Sequence, residues 1–168
     1  MCIRDSNKIA CEAASKKADN LGYRSLLLTT SLDGEAKYVG RYLVDKAINH
    51  SNKGKQAAFI SGGETTVTIK GNGRGGRNQE MVLSSIKSLD KKRVVFASFA
   101  TDGIDGNSDA AGAIADSFSH SKAKEKKLDI QKFLENNNSH EFFKKMEDLL
   151  ITGKTGTNVM DIQILIKY

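Results

Sequence analysis

The chain has 168 residues, of which 39% are hydrophobic and 27% charged, so it can bury one sizeable core. No apolar run reaches the roughly 18 residues that a membrane span needs, and no signal-peptide pattern opens the chain; we therefore predict a cytoplasmic protein without a membrane partner. The net charge is +6, but the basic clusters contain no interleaved aromatic residues, so no nucleic-acid partner is predicted. Cys2 and Cys11 are predicted to be free thiols.

Hydrophobic periodicity and turn residues predict helices that alternate with strands. The predicted helices cover 7–21, 35–50, 78–89, 110–117 and most of 120–147, with a break near 136–138. The predicted strands cover 25–30, 57–60, 65–70, 93–100, 149–151 and 161–167, with 65–70 antiparallel to 57–60. This order predicts the α/β class, with a layered mixed β-sheet flanked by helices. Residues 1–6 fit none of these patterns.

The most informative segment is a glycine-rich turn, Gly71-Asn-Gly-Arg-Gly-Gly-Arg-Asn-Gln-Glu80, which follows Ser61-Gly-Gly-Glu-Thr65 and opens a predicted helix. Glycines let backbone N–H groups approach an anion closely, and a helix N-terminus carries partial positive charge. Arg74 and Arg77 add donors suited to phosphate or carboxylate. The segment therefore predicts a binding site for a small anionic ligand.

Three polar loops follow apolar strands, at 74–78, 101–109 and 153–158. Such loops gather at the carboxyl edge of α/β sheets, so we expect the three to converge. Asp102 ends a buried strand and is well placed to hold Mg²⁺ or to accept a hydroxyl proton. Asp109 is expected to cap the helix predicted from residue 110. The loop at 152–158 is either a plain connector or a binder of carboxylate or phosphate.

Two other functions remain open from the residues alone. Gly71-x-Gly73-x-x-Gly76 matches the dinucleotide fingerprint, with Asp102 near the place of a ribose-binding acid, which would indicate an NAD(P)-dependent reductase. Two arginines inside such a turn are unusual, because backbone amides normally bind the pyrophosphate there. The other alternative is a non-catalytic anion-binding module. Glu64 and Glu80 are either functional carboxylates or partners of the arginines.

Four ordered motifs together resemble one family. They are Ser61-Gly-Gly-Glu-Thr-Thr-Val-Thr, Gly73-Arg-Gly-Gly-Arg-Asn-Gln-Glu80, Thr101-Asp-Gly-Ile-Asp-Gly-x-x-Asp-Ala-Ala-Gly-Ala113 and Thr152-Gly-x-Thr-Gly-Thr-Asn-Val-x-Asp161. They resemble the C-terminal, MOFRL-type region of type II glycerate 2-kinases, some of which carry the label hydroxypyruvate reductase. The resemblance implies that residues 1–56 are the C-terminal remnant of an N-terminal glycerate kinase domain and that 57–168 form the MOFRL domain.

The resemblance also implies an activity, namely Mg²⁺-dependent transfer of the ATP γ-phosphate to the 2-hydroxyl of D-glycerate. Arg77 would stabilise the transferring phosphoryl group, and Asp102 would handle the substrate hydroxyl or, with Asp105, the metal ion. The other implied binding residues are Ser61, Glu64, Gly73, Arg74, Gly75, Gly76, Asn78, Thr155, Thr157 and Asn158. Family members are over twice as long, so the chain is interpreted as a C-terminal fragment, inactive without its N-terminal domain. A homodimer remains possible, and hydroxypyruvate would be the substrate of the reductase alternative.

Overall fold

The computed structural model describes residues 3–51 and 56–168 as a six-stranded mixed sheet flanked by helices. The helices are α1 (Ile3–Asn20), α2 (Ala36–Asn49), α3 (Arg77–Leu89), α4 (Ser119–Glu125), α5 (Ile130–Glu135) and α6 (Ser139–Met146). The strands are β1 (Arg24–Leu32), β2 (Ala57–Gly63), β3 (Val94–Ala100), β4 (Gly112–Ala115), β5 (Leu149–Leu150) and β6 (Asp161–Lys167). The predicted layered α/β architecture is confirmed.

The strand order is β1-β2-β6-β3-β4-β5, and β1 pairs with β2 in parallel while every other neighbouring pair is antiparallel. Side chains alternate across the sheet, because successive residues of a strand point to opposite faces. Phe59 therefore packs beneath α2 and α3, whereas Ile60 packs against α1 on the other face. Because both faces are covered, β2 is buried along its whole length.

One edge of the sheet positions the site. Gly63 at the carboxyl end of β2 and Ala100 at the carboxyl end of β3 both pair with Asp161, the first residue of β6. The loops that follow β2 and β3 and the loop that precedes β6 therefore leave the sheet at the same edge. None of the described helices is long and apolar enough to cross a membrane.

The predicted strand at 65–70 is wrong. Residues 64–70, called the strap below, lie outside the sheet and make one isolated bridge, between Glu35 and Thr66. Thr68 donates its backbone N–H and its hydroxyl to the Glu35 carboxylate, both at 3.0 Å. The alternation of the sequence is therefore real, but one side of the strap meets Glu35 and the other faces a cavity.

The predicted helix at 110–117 is also wrong, because this segment contains β4. Ala and Gly are compatible with several local structures, and here pairing with β3 decides the conformation. A Cβ atom at Gly112 would overlap the carbonyl of Ser98 on β3, so the close strand pairing requires glycine there. Without a helix, Asp109 has no N-terminus to cap. A smaller correction concerns residues 3–6, which extend α1 towards the start of the chain.

Candidate active site

The three polar loops meet at the sheet edge. Gly75 donates its backbone N–H to Asn107 Oδ1 at 2.8 Å, which joins the glycine-rich loop to the loop at 101–109. Thr155 donates its backbone N–H to the carbonyl of Asp102 at 3.1 Å, which joins the loop at 153–158 to the same centre. The predicted convergence of the loops is confirmed.

Arg77, the first residue of α3, lies between two carboxylates. Its Nε and Nη2 donate to the two oxygens of Asp161, and its Nη1 lies 2.8 Å from Glu64 Oε1. Burial lowers the pKa of Arg77, but the hydrogen bonds and charges of Asp161 and Glu64 more than offset this, and the pKa is raised overall. The guanidinium is therefore a fixed positive charge.

Asp161 is fully buried and anchors Arg77. Burial raises the pKa of the Asp161 carboxyl, and the hydrogen bonds from Arg77 oppose that rise. Asp161 ends the fourth of the family motifs, and no role was predicted for it. The available signal was a charged residue at the start of a strand, in the same alternation as the buried Gln163 and Leu165.

The N-terminus of α3 is capped by Asp105, which is only 2% exposed. Its Oδ1 accepts from the backbone and side-chain N–H groups of Asn78, both at 3.1 Å, and its Oδ2 accepts the corresponding pair from Gln79, both at 2.9 Å. A Cβ atom at Gly76 would overlap this carboxylate, so glycine is needed there for packing. Burial raises the pKa of Asp105, although the four bonds oppose it. With four bonds accepted, Asp105 serves here as a helix cap and has no lone pair left for a metal ion.

The backbone amides of the glycine-rich loop are largely occupied, contrary to the expectation that they are available to an anion. Asn136, Asn137 and Asn138, called the asparagine clasp below, accept from the N–H groups of Lys70, Gly71, Asn72, Gly73 and Arg74 at 2.7–3.2 Å. Among the described residues, only the N–H groups of Gly76 and Arg77 in the stretch 70–79 lack a protein acceptor. The arginines, rather than the loop amides, are thus the main donors of the site.

Arg74 is held by Asp109 and by the neighbouring loop. Its Nη2 donates to Asp109 Oδ1 at 3.1 Å, and its Nε donates to the carbonyl of Asn107 at 3.2 Å. The same Asp109 oxygen lies 2.8 Å from His140 Nε2. A hydrogen bond from its own backbone N–H, together with the contact to His140, lowers the pKa of Asp109. Asp109 therefore orients Arg74 instead of capping a helix.

Asp102 lies with the loop at 153–158. Its Oδ1 accepts from the N–H of Ile104 at 3.0 Å, and its Oδ2 accepts from Asn158 Nδ2 at 3.3 Å. Thr155 donates its hydroxyl to the carbonyl of Thr101 and accepts from the N–H of Thr157. Within residues 3–51 and 56–168, no group of three or more His, Cys, Asp or Glu side chains could hold a metal ion.

A cavity of about 810 Å³ lies between the strap and the glycine-rich loop. It is lined by Glu64, Thr65, Thr66, Val67, Ile69, Gly71, Asn72, Gly73, Gly75, Gly76, Arg77, Glu80, Gly106, Asn107, Asn137 and Ser139. Five of the residues expected at the site are therefore in its lining, whereas Ser61 and Asn78 are fully buried. Arg74, Asp102, Thr155, Thr157 and Asn158 do not line it.

Comparison with known proteins decides the family. Residues 57–161 match the MOFRL family model. The chain belongs to the MOFRL family. This MOFRL protein is 42% identical over 166 residues to a glycerate 2-kinase from Pyrococcus horikoshii, and 43% identical over 159 residues to a D-glycerate 2-kinase from Thermotoga maritima. These alignments cover 96% and 92% of the chain but 38% of each relative, so the chain spans less than half of their length.

The fold comparison agrees with the family assignment. The MOFRL chain superposes on the crystal structure of a glycerate kinase from Thermotoga maritima with a TM-score of 0.89 and 42% identity, covering 94% of this chain and 39% of that one. The dinucleotide interpretation is not favoured by the topology. In a dinucleotide-binding unit the strands before and after the helix are parallel and close together, but here β6 lies antiparallel between β2 and β3.

Proposed function

We propose that this chain supplies one wall of the active site of a glycerate 2-kinase, which transfers the ATP γ-phosphate to the 2-hydroxyl of D-glycerate. One observation carries the proposal: Arg77 is fixed by the buried Asp161 and lines a cavity at the edge where three polar loops meet. Phosphoryl transfer depends mainly on positioning and on neutralising charge, and a fixed guanidinium supplies both. The reaction is taken from two relatives, which are a glycerate 2-kinase and a D-glycerate 2-kinase.

The two carboxylates around Arg77 have different parts in this proposal. Asp161 is buried and keeps the guanidinium in place, whereas the Glu64 side chain is 53% exposed, so its ion pair with Arg77 is weak. A phosphate oxygen can therefore replace Glu64 at Nη1 without disturbing the bonds to Asp161. Arg74 lies outside the cavity lining, between the lining residues Gly73 and Gly75, and adds a second positive charge to the glycine-rich loop. Ser61 and Asn78 are fully buried and do not line the cavity, so in this proposal they help to fix the structure around it.

Mg²⁺ enters the proposal as an ion that accompanies the nucleotide. Mg²⁺ is commonly held by substrate phosphates and only one or two carboxylates, where it neutralises charge on the phosphates. Asp102 fits such a role better than Asp105, because it accepts two hydrogen bonds rather than four. Asp102 is also the candidate acceptor for the proton of the substrate hydroxyl. Thr155, Thr157 and Asn158 support it.

We further propose that catalysis needs residues that the relatives contain and this chain does not, since the chain spans about 38% of their length. The partners of this chain in the proposal are then ATP, D-glycerate and that additional part of the polypeptide. The buried free thiol of Cys11 fits a reducing compartment, so the proposal includes a cytoplasmic location. Cys2 lies outside the described residues.

The test compares this chain with a polypeptide of the relatives' length that contains it. Each is supplied with ATP, Mg²⁺ and D-glycerate, and 2-phosphoglycerate is measured. We expect product from the longer polypeptide and none from the 168-residue chain. Turnover by the short chain would refute the proposal that catalysis needs residues outside this chain. Oxidation of NADH with hydroxypyruvate, without any phosphoryl transfer, would favour a reductase instead.

A further inference from the structure

The strap gives the cavity one apolar side. Thr66 and Thr68 bond to Gly34 and Glu35 on the outer side of the strap. Val67 and Ile69 both line the cavity, and Val67 also packs against the main hydrophobic core. Ile69 is 80% exposed because it faces this open space. The strap therefore places two branched aliphatic side chains where a ligand can contact them.

The cavity is charged at one end, and at the other it combines aliphatic side chains with the polar groups of Glu80 and Asn137. The strap begins at Glu64, beside the Arg77 guanidinium, and ends at Lys70, whose N–H donates to Asn137. Between these two points the lining changes from an arginine and a carboxylate to aliphatic side chains. A ligand that fits both ends needs an anionic group at one end and a flat or apolar group at the other.

Two buried polar groups lie in the lining along with the aliphatic side chains. The hydroxyl of Thr65 is fully buried and has no hydrogen-bond partner among the described residues. The Glu80 carboxyl is 3% exposed, and its Oε2 accepts from Asn137 Nδ2 at 3.0 Å. Both groups are held in place in the wall of the cavity and are largely shielded from solvent. A few fixed polar groups among apolar ones are typical of sites that bind small molecules.

We propose that this cavity is the nucleotide subsite, with the base against Val67 and Ile69 and the phosphates directed towards Arg77. The inference rests on the proposed function for the identity of the donor, and it assigns the donor rather than the acceptor to this chain. A volume of about 810 Å³ suits a nucleotide and greatly exceeds what a three-carbon acid fills. D-glycerate has no apolar part to bury against the strap.

The test follows the methyl groups of Val67 and Ile69 by NMR while ADP is added to the 168-residue chain. We expect saturable shifts at both residues and none at Ile151, which is similarly exposed, at 66%, but does not line the cavity. Inorganic triphosphate should shift the backbone amide signals near Arg77 and leave the methyl signals of Ile69 unchanged. Ile69→Asp should weaken ADP binding about tenfold or more, since it places a charge against the base, whereas Ile151→Asp should not.

Two results would overturn the inference. One is the absence of any saturable shift at Ile69 with ADP, and the other is a shift at Ile69 produced by D-glycerate, which would assign the cavity to the acceptor. Neither readout requires turnover. If the longer polypeptide fails to transfer a phosphoryl group but ADP still shifts Ile69, the proposed function is wrong and the nucleotide subsite stands. If phosphoryl transfer occurs but ADP does not shift Ile69, the nucleotide subsite is wrong and the proposed function stands.

Discussion

At the scale of single residues, the strongest interaction of the site is the pair between Arg77 and Asp161. Removing one partner of a buried pair leaves an uncompensated charge, whereas an exposed pair contributes little. We expect Arg77→Ala to lower the free energy of unfolding by about 3–5 kcal/mol, measured by urea denaturation. Arg74→Ala, which breaks the exposed contact to Asp109, should cost about 1 kcal/mol or less. Equal losses in the two variants would contradict this assignment.

The double variant Arg77→Ala/Asp161→Ala separates the charge effect from the loss of packing. It should be more stable than Arg77→Ala alone, because it no longer buries an unpaired carboxylate. If the two substitutions simply add, the pair has no special role in stability. This stability cost also means that kinetic effects of Arg77→Ala alone cannot be assigned to catalysis.

Glu80 should make stability depend on pH. Burial raises its pKa from the usual 4.5, against the opposing hydrogen bond from Asn137. A carboxyl whose pKa is raised by folding binds its proton more tightly in the folded state, so its contribution to stability falls as pH rises from about 4.5 through the folded pKa. At pH values above the folded pKa, each unit by which the folded pKa exceeds the unfolded pKa lowers the free energy of unfolding by about 1.4 kcal/mol.

Glu80→Gln removes this titration while keeping the size of the side chain. We expect the stability of the variant, relative to the wild type, to increase with pH above about 4.5 and then to level off. Urea denaturation at several pH values measures it. Asp45→Asn, which makes the same kind of change at an exposed position of α2, is the control. A relative stability of Glu80→Gln that falls with rising pH would show that the folded pKa is lowered instead.

At the scale of elements, the asparagine clasp holds the strap and the glycine-rich loop together. Asn137 accepts from two backbone N–H groups and donates to the carbonyl of Thr68 and to Glu80. Its φ of 49° lies in the left-handed region that Asn tolerates better than most residues. One side chain therefore connects the strap, the glycine-rich loop and Glu80.

Asn137→Gly keeps this backbone conformation and removes the four side-chain bonds. We expect the amides of residues 70 and 71 to exchange with deuterium at least about tenfold faster, because they lose their acceptor. Asn72→Gly is the matched control, since no hydrogen bond of its side chain contributes to the clasp. Unchanged exchange at residues 70 and 71 would mean that the clasp does not hold the loop in solution.

The same scale shows what the sequence could predict. β2, β3 and β6 and helices α2 and α3 were predicted because their hydrophobic patterns are strong and local. β4 and the strap were missed, because their conformations depend on distant partners, the Ser98 carbonyl for Gly112 and the Glu35 carboxylate for Thr68. The small residues of β4 and the alternating apolar and polar residues of the strap do not reveal these distant partners.

The candidate site was predictable only in part for a related reason. Arg77 stood out from its glycine-rich surroundings, and the loops could be expected at one sheet edge. Its anchor, Asp161, lies 84 residues away, and the asparagine that holds Gly71 lies 66 residues away. The glycines were predicted to let a ligand approach the backbone, but at Gly76 the space that a Cβ atom would fill is occupied by the Asp105 carboxylate. Contacts of this kind follow from the fold and leave little local pattern.

At the scale of the whole molecule, the sheet brings a fixed guanidinium, a second arginine and an amphipathic cavity to one edge. The chain belongs to the MOFRL family and spans about 38% of the length of its glycerate 2-kinase relatives. We propose that Arg77 acts on the transferring phosphoryl group in an active site completed by other residues.

The most direct measurement is the kcat of phosphoryl transfer from ATP to D-glycerate in a polypeptide of the relatives' length carrying Arg77→Lys. Lysine keeps a positive charge for Asp161 but loses the planar set of donors, so the fold should persist, as circular dichroism can verify. We expect kcat to fall about 100-fold or more, as for loss of one fixed donor to a transition-state charge. A kcat within twofold of the wild type in a folded variant would contradict it.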